Sequence, residues 1–94
     1  MIAFDRSPRF SSGEINVTAG VEEKIPAADI QAALQRHLRG DWGDLDAEDR
    51  QRNDEILERG GTLASIYTAS NGVKFYILTE ADRSATTVLL PEEY

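Results

Sequence analysis

The spacing of apolar and polar positions changes period twice along this chain. Glu14-Ile15-Asn16-Val17-Thr18 alternates polar and β-branched residues and predicts a short strand, closed by Ala19-Gly20. Residues 21–25 allow one helical turn, and Pro26 stops it, because the residue before a proline is pushed out of the helical region. Over residues 27–39 the period becomes helical. Ile30, Leu34, His37 and Leu38 recur at i, i+4, i+7 and i+8, with Ala27, Ala32 and Ala33 among them. Pro26 suits the start of this helix, Arg36 and Arg39 meet the negative end of its dipole, and Gly40 stands where a left-handed closing residue belongs.

Asp41-Trp42-Gly43-Asp44-Leu45 then reads as a compact turn, and Asp46 as the N-cap of a second helix over residues 47 to 58 or 59, ended by Gly60-Gly61. The apolar stripe of that helix is thin, only Ile56 and Leu57 with Asn53 one turn earlier, so Trp42 and Leu45 are its expected anchor. The last third returns to period two. Residues 63–68 and 73–79 flank Ser70-Asn71-Gly72, and Asn-Gly between two such runs predicts a two-residue hairpin loop. That loop pairs Thr68 with Phe75 and Ile66 with Ile77. It puts Ile66, Val73, Phe75 and Ile77 on a core face and Tyr67, Tyr76 and Leu78 on the other. Residues 80–84 form a turn, residues 86–90 a third strand, and Pro91 ends it. The prediction is α+β in the order β-α-α-β-β-β: an antiparallel sheet with a C-terminal three-stranded meander and two helices packed on one face. Residues 1–13 read as a flexible arm, with Phe4 and Phe10 as candidates to tuck against a single domain over residues 14–94.

Composition narrows the class. The chain has 94 residues, 40% hydrophobic and 29% charged, which suits one small globular domain. It has no cysteine, so packing alone must hold the fold, as fits a reducing cytoplasm. The start Met1-Ile2-Ala3-Phe4-Asp5-Arg6 lacks the pattern of a secretory signal, and no apolar run approaches the roughly 18 residues of a membrane span. With 17 acids against 10 lysines and arginines the net charge is −7. That disfavours nucleic acid or an anionic membrane as direct partner and favours a protein with a basic surface, unless the charge serves solubility alone. The oligomeric state is not legible.

Candidate chemistry gathers at residues 37–58. His37, Asp41, Asp44, Asp46, Glu48 and Asp49 offer metal-ligand types, but their spacing matches neither an EF-hand loop nor a histidine pair, so no metal or cofactor is expected. The carboxylate pairs Asp44 with Asp46 and Glu80 with Asp82, with His37 as partner, are the material for a small hydrolase or metal-dependent enzyme using the His37 to Asp49 cluster. No nucleophile stands beside a base and no glycine-rich loop cradles phosphate, so a non-enzymatic protein is the first reading. Trp42 is either a plug between helices and sheet or an exposed anchor for a partner. The amide of Asn53 suits the backbone groups of the Gly40–Asp44 turn. Asp82-Arg83-Ser84 is either a recognition loop or a turn in which Asp82 bonds its own backbone. Eight acids lie in residues 41–58 (Asp41, Asp44, Asp46, Glu48, Asp49, Asp54, Glu55, Glu58) against Arg50 and Arg52. Along a turn and a helix face they would imitate a row of phosphates, or simply be solvated.

The motifs Gly40-Asp41-Trp42-Gly43-Asp44-Leu45, Glu48-Asp49 and Asn53-Asp54 resemble those of a family of small bacterial proteins carried on plasmids, integrated elements and phage-like regions. The run from Thr79 to Tyr94, TEADRSATTVLLPEEY, is similar to the same family, and the resemblance covers roughly residues 14–94. Members usually bear labels such as plasmid-related protein. The resemblance implies a mobile-element setting and no catalytic residue. The expected function is therefore a small acidic protein-binding module, an inhibitor of a host defence nuclease or nucleic-acid-binding complex, anti-restriction or anti-CRISPR in kind. Asp41, Trp42, Asp44, Glu48, Asp54, Glu55, Glu58, Asp82 and Arg83 are its candidate contact residues. A structural accessory subunit is the third reading.

Overall fold

The computed structural model describes residues 8–94. Strand β1 (Glu14–Val17) leads into helices α1 (Ala19–Lys24), α2 (Ala27–Leu38) and α3 (Ala47–Arg59). Strands β2 (Leu63–Thr68), β3 (Lys74–Thr79) and β4 (Ala85–Leu89) follow, then a 3-10 turn, Pro91–Glu93. The fold is α+β, and the C-terminal meander is present. The sheet is mixed rather than antiparallel: its order is β1-β4-β3-β2, and β1 pairs parallel with β4. The helical crossover returns the chain to the far edge of the sheet with β2 running in the direction of β1. Two hairpin reversals then bring β4 beside β1 in that same direction. An alternation pattern marks strands but carries no pairing partner, so the parallel pair was not readable from it.

There are three helices where two were expected. The extra one begins at Ala19 because Thr18 is an N-cap: its hydroxyl oxygen accepts from the Val21 N–H at 3.2 Å. The same hydroxyl donates to Glu93 at 2.7 Å and ties the 3-10 turn to the start of α1. Val21 and Ile25 of α1 and Ile30 and Ala33 of α2 cover the inner sheet face, where Tyr67, Phe75, Ile77 and Val88 complete the core with Leu90.

The hairpin register is one residue away from the expected one. Ala69 and Val73 close the loop (Ala69 N–H to Val73 C=O, 2.9 Å), leaving three loop residues, with Gly72 at φ +86°. The loop is docked on the helices. Asp29 accepts from both the backbone and the hydroxyl of Ser70, and the Asn71 amide donates to the Lys24 carbonyl at 2.8 Å. Thr68 therefore pairs with Lys74, Tyr67 with Phe75 and Ile66 with Tyr76. A slip of one flips every side chain: Tyr67 enters the core, 2% exposed, and Ile66 turns to the outer face with Tyr76 and Leu78.

The outer edge of β2 is closed by the turn that precedes α3. Trp42 C=O accepts from Ile66 N–H and Ile66 C=O from Asp44 N–H, at 3.4 and 2.7 Å. One residue pair further on, the Asn53 side chain donates to Ala64 C=O at 2.7 Å. Asn53 thus satisfies β2 rather than the Gly40–Asp44 turn. A bare strand edge invites pairing with other chains, and here turn and helix together cover it. Helix α3 accordingly docks on the β2 edge, so the two helices sharing the core face are α1 and α2.

Candidate protein-binding face

The turn between α2 and α3 is built from its own acids. Gly40 (φ +84°) reverses the chain after α2. Asp41 then meets Arg36 across that reversal through two hydrogen bonds of 2.8 and 3.2 Å, and accepts from Gly43 N–H. The Arg36 hydrogen bond, with the Gly43 amide and the Arg50 charge, holds the Asp41 carboxyl below the usual carboxylate range. Arg50 reaches back to the carbonyls of Gly43 and Leu45. Trp42 is the plug: it is 2% exposed, and its indole N–H donates to Asp54 at 2.9 Å. A buried indole nitrogen needs such an acceptor.

The eight acids of residues 41–58 consequently divide. Asp41 pairs with Arg36, Asp44 accepts from Thr68 at 2.7 Å, and Asp46 caps α3 by accepting from Asp49 N–H at 2.8 Å. Asp49 faces Arg52 at 3.6 Å, and Asp54 holds Trp42. Glu48, Glu55 and Glu58 remain exposed and, among the described residues, make no ion pair or side-chain hydrogen bond. At 100° per residue these three, with Gln51, fall on the side of α3 opposite the buried Asn53. They form one outward stripe of carboxylates.

Asp82 and Arg83 sit elsewhere, at the β3–β4 turn. Asp82 accepts from Ser84 N–H at 3.0 Å, a turn closed on its own backbone. Arg83 holds positive φ (+62°), and its guanidinium donates to the carbonyls of Gly61, Glu80 and Ala81. It also lies over the ring of Phe10, 5.6 Å from its centroid. The turn does not join the α3 stripe in one cluster. Its role, as the side chains lie, is to fasten the end of α3 and residues 8–13 to the sheet; Phe4 falls outside the described residues.

His37 and the acids of residues 41–49 do not converge. His37 is fully buried and faces hydroxyls: Ser65 at Nδ1 (2.6 Å) and Thr79 at Nε2 (2.8 Å). Thr79 meets Thr86 at 2.8 Å, and Thr86 donates to the Ser12 carbonyl at 2.7 Å. Each hydroxyl has one proton, so the carbonyl at the end fixes every direction. Thr86 donates to Ser12, Thr79 donates to Thr86, His37 Nε2–H donates to Thr79, and Ser65 donates to a bare Nδ1. Neutral imidazole satisfies the whole chain. Burial, with the positive charge of Arg83, pushes its pKa down to about 4. Phe10 and Trp42 seal the ring, at centroid distances of 5.4 and 5.7 Å. Among the described residues no three of His, Asp and Glu come together as metal ligands. The hydroxyl partners of His37 carried no sequence signal, since a lone serine or threonine in a strand reads as surface.

Comparison of the chain with protein-family models, with curated proteins and with solved structures finds no match.

Proposed function

We propose that this chain is a non-enzymatic protein-binding module of a mobile element, and that it binds a basic surface of its partner through the carboxylate stripe of α3. The partner class that fits is a host defence nuclease or another complex built to hold nucleic acid. Such a groove is lined with cations that a row of carboxylates would occupy in place of phosphates. The observation that carries this reading is the division of the acids. Five are spent inside the fold, while Glu48, Glu55 and Glu58 are spent on nothing and share one side of a capped helix. Their spacing over ten residues extends the stripe about 15 Å at 1.5 Å per residue, enough to meet several cations at once. The resemblance of the Gly40–Leu45 and Thr79–Tyr94 motifs to mobile-element proteins supports the setting and a cytoplasmic location. Among the described residues no helix is long and apolar enough to cross a membrane.

The test is capture from bacterial lysate by tagged wild type and by a chain with Glu48, Glu55 and Glu58 changed to Lys. Asp54 is left intact because it holds Trp42. Wild type is expected to retain a nucleic-acid-binding protein that the triple reversal releases. Equal capture by both chains would refute the stripe as the binding surface.

A further inference from the structure

A sheet with one face on the core ordinarily turns polar side chains outward. This one does not. Opposite the core, Ala64 and Ile66 of β2 and Tyr76 and Leu78 of β3 are only half buried. With Leu45 and Tyr94 they line an open groove of about 340 Å³. The cover on this side is slight: Leu45 at the β2 edge, and Tyr94 after the 3-10 turn, set edge-on to Tyr76 at 6.0 Å and itself 80% exposed. A second groove along α3, lined by Leu45, Asn53, Ile56, Thr62 and Ala64 together with the Asp49 and Arg52 pair, adjoins it and extends the apolar strip. A contiguous apolar patch of this kind on a small domain marks an interaction surface.

We propose that this face is where a second copy of the chain docks, sheet against sheet. The charges on the face select that occupant. The ladder registers place Glu14, Asn16, Ala64, Ile66, Thr68, Lys74, Tyr76, Leu78, Ala85, Thr87 and Leu89 on this side, and of these only Glu14 and Lys74 are charged. A basic partner would find one anion there, and that one matched by a cation. A second copy finds its complement. Lys74 stands at the β2–β3 end of the sheet and Glu14 at the opposite corner, on β1, with the apolar residues between them. A twofold axis lying in the interface and crossing that diagonal brings each Lys74 over the Glu14 of the other copy. The apolar centre then meets itself, as a closed symmetric pair requires. Strands about 4.8 Å apart and about 3.4 Å per residue long give a face roughly 20 Å on a side, a footprint at the small end of specific interfaces, so the dimer is expected to be of micromolar strength. Glu48, Glu55 and Glu58 point away from the β2 edge, so both stripes stay outside in the pair. The dimer is a property of the chain alone and stands or falls independently of the proposed partner.

Sedimentation equilibrium from about 5 µM to about 0.5 mM tests it, a range in which even a weak interface populates. Wild type is expected to pass from monomer to dimer, and Leu78→Lys, folded by circular dichroism, to remain monomeric throughout. Glu14→Lys and Lys74→Glu, both exposed and safe for folding, should each weaken the dimer about 10-fold, and the double swap should restore it. A wild type monomeric at the top of the range overturns the proposal. So does a dimer indifferent to Leu78→Lys, or a double swap that fails to restore association.

Discussion

His37 owes its place in the core to three hydroxyls. Ser65, Thr79 and Thr86 are polar residues at inward positions, and each is fully buried. This is also why the sequence misled at the hairpin. With Ser65 and Thr79 read as surface residues, Ile66 and Ile77 looked like the inward pair. The correct register becomes visible only once His37 is known to satisfy those hydroxyls. A prediction follows from the neutral imidazole. The unfolded chain takes up a proton near pH 6.5 and the folded one only near pH 4, so between those values the unfolded state binds more protons. The contribution is fully present above pH 6.5 and is lost as pH falls toward 4, to the extent of about 3 kcal/mol at most. Melting temperature should drop across that window, and His37→Gln should flatten the drop. Imidazole nitrogen shifts should report the Nε2–H tautomer with no titration above pH 5. A histidine that titrates near pH 6.5 in the folded chain would contradict the buried hydrogen-bond chain.

Among the elements, the α2–α3 turn was the part best marked in the sequence. Gly40, the Asp46 cap and the Gly60 stop all lie where they were expected, because capping chemistry is local. What local signals did not carry is that this turn also serves as the edge cover of β2. Gly43 makes that dual role measurable. A Cβ there would lie 2.0 Å from the Ile66 carbonyl oxygen, at φ +74°. At Gly72 (φ +86°) a Cβ meets nothing within 4 Å. Gly72→Ala should therefore cost only the strain of positive φ, about 1–2 kcal/mol. Gly43→Ala should cost that and the displacement of the turn from β2, about 3 kcal/mol or more. Denaturant unfolding of the two variants checks the order. Equal losses would mean that the turn does not seal the strand edge.

At the scale of the whole molecule, the net charge of −7 described a surface without saying which part of it is free to act. Packing makes the distinction, since it turns five acids of residues 41–58 inward to caps, turns and Trp42 and leaves three outside. Asp41, Asp44 and Trp42, candidates for contact in the sequence, are the framework that presents the stripe. The most direct test is the association rate of the captured partner with wild type and with the Glu48, Glu55 and Glu58 to Lys chain, measured from about 0.05 to 0.5 M salt, across which the screening length falls severalfold. The wild-type rate should fall steeply with salt. The triple reversal should associate at least about 10-fold more slowly at the lowest salt, with the two curves converging at the highest. Two flat, superimposed curves would contradict the account.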